Sequence, residues 1–244
     1  MLDDLNHDTK RVSCCIMDNE PTANAAADLL PFAWMGCVDH LIELVTGVAF
    51  NDTLAVMKSA RAVVTAFTGS SQATEMLLQL QKAVNNTAQP LVVVQDVSTR
   101  WWSTYAMISR LVQLRDHIHS IYKAGKIAVF LTDEQWSVLI KMTVLLKPFM
   151  QLQTFFEGDQ YVTLSYVPSM VSFLRTLIDQ VFNDIDESDL TDAAKTSLRD
   201  TATRMRDKFN SRWGTGNPGT VCTEHMTRGE RRIRKGIYCL LNIK

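Results

Sequence analysis

The stretch Asp96-Val97-Ser98-Thr99-Arg100-Trp101-Trp102-Ser103-Thr104-Tyr105-Ala106-Met107 is the most informative part of this sequence, because it opens a helix with an arginine beside an aromatic residue. An arginine can hold a nucleic-acid phosphate, and an indole can stack on a base. Arg100 and Trp101 are therefore the candidate nucleic-acid-binding residues. An alternative stays open, because Trp101 and Trp102 project about 100° apart on a helix. In that alternative one indole is a core anchor and the other lies at the rim.

Downstream of this stretch the pattern of apolar residues is purely helical. One helix runs on to the breaker Gly125, and Thr132 caps the next, which reaches a kink at Pro148. Two more apolar stripes, around 167–181 and 198–209, predict further helices. The C-terminal half is therefore expected to be an all-helical bundle.

Upstream of the stretch the sequence mixes strands and helices. Residues 11–17 and 91–95 are short runs of apolar and β-branched residues, which predict two strands. Helices are predicted over 22–30, 37–50, 53–67 and 72–84, the last two being separated by the breaker Thr68-Gly69-Ser70-Ser71. The fold class expected is mainly α with a small α/β part.

An aspartate follows each predicted strand. Carboxylates at adjacent strand ends can hold Mg²⁺ over a scissile phosphate, so Asp18 and Asp96 are candidates for such a site. Aspartate at a strand end is also a common turn and helix-capping residue, and that alternative stays open for both positions.

Two Cys-x-x-His pairs raise the question of zinc. Cys37 and His40 lie one helical turn apart and are candidate Zn²⁺ ligands, and Cys222 and His225 repeat the spacing. Together they would form a Cys₂His₂ set, although the two pairs are much farther apart in the sequence than in a zinc finger. A packed, hydrogen-bonded pair on an apolar helix is the alternative.

Composition narrows the class of protein. The chain has 244 residues, 46% of them hydrophobic, and a formal net charge of −1, so it does not resemble domains that coat DNA through bulk positive charge. The charge is unevenly distributed: residues 1–30 are acidic, whereas 100–126 and the last 17 residues are basic. Five cysteines without a secretory signal, and no long apolar window, indicate a protein of the nucleus or cytosol with no membrane span.

The order of these motifs resembles hAT-superfamily DNA transposases and the BED zinc-finger proteins derived from them. The segment at 99–107 is similar to the family's Thr-Arg-Trp-x-Ser-Thr-Tyr-x-Met. Asp18-Asn19, an alanine-rich helix and Cys37-x-x-His40 occur in the family's order, with Thr22 where the family usually has Asn. The text from Leu131 onward also resembles the family's insertion region, so the resemblance spans roughly residues 12–175.

The resemblance implies an incomplete RNase H-like core followed by an all-helical insertion domain. We expect the partial core over 1–100, the helical insertion domain over 101–212, and a loop with a basic C-terminal helix over 213–244. In the family the tryptophan at position 101 is implied to stack on a base extruded beside the excision site.

Family transposases cut DNA with two aspartates and one glutamate that hold two Mg²⁺ ions. Asp18 matches the second aspartate, whereas the first aspartate and the glutamate have no matched position. We therefore expect a fragment of a transposase-like or domesticated DNA-binding protein without a complete catalytic site, and a homo-oligomer in the full-length form. A non-enzymatic helical protein-interaction module and a structural zinc protein are the competing hypotheses.

Overall fold

The computed structural model describes residues 14–17, 33–50, 54–85, 89–158 and 166–213, together with four single positions between 22 and 29. These residues form two compact units. The first unit comprises residues 1–45, 152–175 and 206–244, and the second comprises 46–151 and 176–205. The boundary predicted at residue 100 thus falls inside the second unit. The basic C-terminal tail predicted over 213–244 lies almost wholly outside the described residues.

The first unit contains a two-stranded parallel sheet. Strand β1 (Cys14–Met17) pairs with β2 (Ala33–Gly36), with Cys14 opposite Ala33 and Met17 opposite Gly36. The backbone N–H of Cys37 then donates to the carbonyl of Met17 at 2.7 Å, which joins the end of β1 to the start of helix α1 (Val38–Thr46). Strand β1 confirms the strand predicted there, while β2 was not predicted. The sheet is the small α/β part of a mainly helical protein.

Helices make up most of the described part of the second unit. A 3₁₀ turn (Gly47–Phe50) precedes α2 (Leu54–Thr68) and α3 (Ser71–Asn85). These are followed by α4 (Trp101–Gln113), α5 (Arg115–Lys123), α6 (Asp133–Phe156), α7 (Val167–Asp186) and α8 (Asp192–Trp213). Helix α3 packs against both α2 and α5. The last three helices extend from this unit into the segments assigned to the first unit.

The predicted helix starts are confirmed by their caps. The Ser70 hydroxyl accepts from the N–H of Ala73 at 3.2 Å, as expected for the cap of α3. At the start of α6, Thr132 and Gln135 exchange hydrogen bonds of 3.0 and 3.2 Å between backbone and side chain, which is the reciprocal capping box. Helix α6 continues through Pro148 to Phe156 and does not stop near the proline.

Buried apolar side chains form the core of the second unit. Helix α2 buries an i, i+3, i+4 stripe, and α4 and α6 bury matching stripes, each member at most 4% exposed. The stripes are Met57, Ala60, Val64 and Phe67; Met107, Ile108 and Leu111; and Trp136, Leu139, Met142 and Leu146. None of the helices in the described part of the chain is long and apolar enough to cross a membrane.

The strand predicted over 91–95 is wrong. Residues 90–97 are neither helix nor strand and belong to no sheet, and Leu91 and Val92 are 38% and 44% exposed. Strand propensity depends on a neighbouring strand and a face to cover, and the chain around these residues is helical. The segment instead runs along the surface of the second unit and leads into α4.

Candidate nucleic-acid interface

Hydrogen bonds from side chains of α3 and α4 hold the segment 90–97, which leads into α4. The Gln81 side chain of α3 accepts from the N–H of Leu91 at 2.8 Å and donates to its carbonyl at 2.7 Å. The Arg110 guanidinium of α4 donates to the carbonyl of Val92 at 2.7 Å. These bonds satisfy backbone groups that a strand ladder would otherwise pair. They fix the path by which the chain enters α4.

A bidentate ion pair between Arg61 and Asp96 also attaches the segment to α2. The Arg61 guanidinium of α2 donates to both carboxylate oxygens of Asp96, from Nε at 3.1 and 3.0 Å and from Nη2 at 2.7 Å. The Thr104 hydroxyl of α4 adds a third donor at 3.0 Å. The Asp96 side chain is only 2% exposed, and that of Arg61 is 28% exposed. Asp96 therefore joins the segment 90–97 to α2 and α4.

The charge state of Asp96 follows from these partners. Burial by itself raises the pKa of the carboxyl group, but the hydrogen bonds from Arg61 and Thr104 and the positive charge of Arg61 outweigh it. The pKa of Asp96 therefore lies below its ordinary value of 3.8. Because Arg61 and Thr104 donate to both of its oxygens, the Asp96 carboxylate has a structural role: it holds the segment 90–97 against α2 and α4. The interpretation of Asp96 as a strand-end metal ligand is wrong, because residues 91–95 form no strand.

The first turn of α4 is built on Ser103. Its hydroxyl lies 2.9 Å from the nitrogen and 2.8 Å from the carbonyl oxygen of Val97, and 2.7 Å from the carbonyl oxygen of Arg100. Arg100 is the extended N-cap residue, and its side chain makes no capping hydrogen bond. Among the described residues, no partner is found for the N–H groups of Trp101 and Trp102. The positive end of the α4 dipole is therefore uncapped.

The two tryptophans have opposite environments. Trp101 is 4% exposed, its ring lies 6.5 Å from that of Tyr105, and its Nε1 is buried without a hydrogen-bond partner in the described part of the chain. Trp102 is 39% exposed, and the Arg100 guanidinium carbon lies 5.9 Å from its ring centroid. In this conformation the Trp101 indole is a core anchor, and the side chain available for stacking is Trp102. The sequence-based choice of Trp101 as the contact residue therefore needs revision.

The structure describes only some of the residues proposed to bind metal. Asp18 lies outside the described residues, although it directly follows β1, which ends at Met17. Cys37 is half-buried before α1, and Nδ1 of His40 lies 3.8 Å from a carboxylate oxygen of Glu43. Cys37 and His40 could supply two of the four ligands of a structural zinc site. Cys222 and His225 lie outside the described residues, and no group of three or more potential metal ligands occurs within them.

Asp39, between the two candidate zinc ligands, lies in an acidic environment. Burial raises the pKa of its carboxyl group, and the negative charges of Glu157 and Glu43 raise it further against the opposing effect of His40. One carboxylate oxygen is buried and has no hydrogen-bond partner among the described residues. The first turn of α1 therefore carries a carboxylate that is costly to keep charged.

A known family model matches the part of the chain that contains the candidate interface. Residues 35–145, which include the Arg61–Asp96 ion pair and the start of α4, match the family model described as the ZBED1 RNase-like helical domain. Over these residues the chain is similar to hAT-type transposase-derived proteins. The resemblance inferred from the Thr-Arg-Trp segment is thereby confirmed.

Similar proteins of known name agree with this relationship. The chain is 25% identical over 151 residues to zinc finger BED domain-containing protein 4 of Homo sapiens. It is 26% identical over 197 residues to a Zea mays protein named as an AC transposase, and 28% identical over 140 residues to a Talaromyces stipitatus protein named as transcriptional regulator tpeD. The three alignments cover 61%, 76% and 56% of this chain but only 13%, 22% and 16% of the relatives.

The residues that hold the candidate interface in place were not predicted from the sequence. Gln81 precedes its partner Leu91 by 10 residues and Arg61 precedes its partner Asp96 by 35, and no local pattern connects these pairs. The spacing of residues along α4, in contrast, indicates which tryptophan is buried. Trp101 lies seven residues before the buried Ile108, so both share the inner face of α4, whereas Trp102 shares its face with Gln113, which is exposed.

Proposed function

We propose that this chain is a DNA-binding domain of a transposase-derived protein, and that the start of α4 is its contact surface. The observation that carries the proposal is the exposed Trp102 indole with the Arg100 guanidinium above it, at an uncapped helix start. An exposed indole can stack on an unpaired base, while a guanidinium and free N–H groups bind phosphate. The similar proteins include one named as a transposase and one named as a transcriptional regulator, and these names support a DNA-binding function.

The anchoring of the segment supports the same proposal. The Arg61–Asp96 ion pair and the buried Trp101 fix the backbone on either side of Arg100. A fixed platform loses little conformational entropy when a ligand binds. Since the net charge of the chain is −1, binding depends on this local surface and on the basic segment 100–126, and no bulk attraction is needed.

We further propose that the chain does not cut DNA by itself. Strand β1, paired in parallel with β2, would be part of an RNase H-like core with Asp18 at its end. One such carboxylate cannot hold the two Mg²⁺ ions of a transposase reaction, and Asp96 is engaged by Arg61. A strand-cleavage assay with Mg²⁺ should therefore show no activity. Cleavage that disappears in Asp18→Ala would contradict this part of the proposal.

Equilibrium titration with fluorescent DNA tests the binding surface. We expect the chain to prefer a hairpin with an unpaired base to a fully paired duplex of the same length. Trp102→Ala should weaken hairpin binding about tenfold, as expected for the loss of one base stack, whereas Trp102→Phe should retain most of it. Phe173→Ala removes another exposed aromatic side chain, 51% exposed on α7, and is the matched control.

The titration also decides between classes of protein. Equal affinity for hairpin and duplex, with no effect of Trp102→Ala, would refute the proposed surface and favour a helical protein-interaction module. A nuclear location and homo-oligomerisation are proposals that follow from the similarity to transposases. They can be checked by microscopy of a tagged chain and by light scattering.

A further inference from the structure

A second surface with aromatic and basic side chains lies on α5 and the loop that follows it. The Tyr122 ring, 38% exposed, stacks on Phe130 with 4.6 Å between ring centroids and 18° between ring planes. The edge of His119 meets the same Phe130 ring at 5.2 Å. Arg115, His119 and Tyr122 share one face of α5, because they are spaced i, i+4 and i+7.

The backbone under this surface is held in place. Helix α5 ends at Lys123, and two residues later Gly125 has a left-handed φ of +68°. The N–H of Lys126 donates to the carbonyl of Ile121 at 3.2 Å. This is the glycine-terminated helix end in which the chain turns sharply back. Tyr122 therefore lies in the last turn of a helix whose end is fixed. Phe130 packs against one side of its ring, and the rest of the ring is partly exposed to solvent.

The charges around this surface favour an anionic ligand. Lys123 and Lys126 are exposed, and neither makes an ion pair with any described residue. Arg115 is engaged by Asp133 at 3.3 Å and lies 5.9 Å from the Trp136 ring, so its charge is partly balanced. Asp116 is the one acidic residue of α5. The lysines make the surface unsuitable for a cationic ligand, which an exposed aromatic ring alone would also attract.

We propose that this Tyr122–Phe130 surface binds single-stranded nucleic acid, with a base stacked on Tyr122 and phosphates held by Lys123 and Lys126. Base stacking on an aromatic ring beside lysines is the usual means of binding a single strand without sequence preference. The inference rests on the proposed function and adds a second binding surface to the one at Trp102. An unpaired strand that leaves a hairpin would provide such a ligand.

The experiment titrates the full chain with a single-stranded oligonucleotide at several salt concentrations. Tyr122→Ala should weaken binding about tenfold, and Tyr122→Phe should not. The double variant Lys123→Gln/Lys126→Gln should lower the slope of log affinity against log salt concentration by about 1.4, because each phosphate that a lysine neutralises on a single strand adds about 0.7 to that slope. Lys147→Gln, which removes an exposed lysine of α6, is the control and should leave the slope unchanged.

The outcomes separate this inference from the proposed function. Loss of binding in Tyr122→Ala with an unchanged thermal midpoint supports the second surface. If Tyr122→Ala binds within twofold of the unmodified chain while Trp102→Ala loses hairpin binding, the inference is wrong and the proposed function stands. If neither variant has an effect, both are wrong. Photocrosslinking with 5-iodouracil strands supplies an independent readout, and crosslinks that omit Tyr122 and its neighbours would also overturn the inference.

Discussion

The Arg61–Asp96 ion pair gives the most specific prediction about stability. Arg61→Met keeps most of the apolar stem but leaves a carboxylate that is 2% exposed with Thr104 as its remaining side-chain donor. Removing one partner of a buried pair costs about 3 to 5 kcal/mol. Since Arg61 is 28% exposed, solvent screening reduces this, and we expect a loss of about 2 to 3 kcal/mol.

A double-mutant cycle measured by urea unfolding tests the origin of this loss. Asp96→Asn should also destabilise the chain, whereas the double variant Arg61→Met/Asp96→Asn should lose less than the sum, with a coupling energy of about 1 to 2 kcal/mol. Strict additivity would show that the two groups do not stabilise each other and would refute the account of the anchor. Hairpin affinity should also fall in Arg61→Met, because the path into α4 is loosened.

The pH dependence of the same pair has a defined direction. Because the pKa of Asp96 in the folded chain lies below 3.8, the contribution of the ion pair is complete above that pH. It is lost as the pH falls through the folded-state pKa. The unfolding free energy of the wild-type chain should therefore decrease more steeply below about pH 4 than that of Asp96→Asn. Parallel curves for the two proteins would contradict this assignment.

Further changes test other parts of the structure. Trp101→Ala should lower the free energy of unfolding by about 3 to 5 kcal/mol, because it empties a core site, and a loss below about 1 kcal/mol would show that the indole is not an anchor. Asp39→Asn should stabilise the chain at pH 7 by at most about 1 kcal/mol after solvent screening, with the gain shrinking as the pH falls through the raised pKa of Asp39; a loss of stability would contradict the acidic environment. Gly125→Ala should lower the free energy of unfolding by about 1 kcal/mol, because a residue with a Cβ is strained at a left-handed φ of +68°. No atom lies within 4 Å of the added methyl group, so no steric clash adds to this loss. If Cys37 helps to bind zinc, elemental analysis should find zinc in the wild-type chain and less in Cys37→Ser, whereas equal contents would exclude Cys37 as a ligand.

Local patterns were sufficient for most of the helical architecture. The predicted helices 53–67 and 72–84 correspond to Leu54–Thr68 and Ser71–Asn85, because apolar stripes and the Ser70 cap are properties of neighbouring residues. The similarity to hAT-type transposases could also be inferred, since the order of short motifs is kept where overall identity is low. Asp18 and the C-terminal tail remain predictions.

Long-range contacts account for what the sequence did not predict. Three consecutive valines at 92–94 favour a strand, yet Gln81 and Arg110 satisfy the neighbouring backbone and no partner strand is present among the described residues. Conversely, β2 has no β-branched residue in Ala33–Gly36 and forms because β1 lies beside it. The role of Asp96 depends on Arg61, 35 residues earlier, which no local pattern identifies.

Hydrogen–deuterium exchange of the full chain, with and without a hairpin carrying an unpaired base, tests the central claim most directly. The account predicts slower exchange in peptides covering Asp96 to Thr104 when the hairpin is bound, because phosphate would occupy the free N–H groups at the start of α4. Saturating hairpin binding that leaves exchange in these peptides unchanged would contradict it.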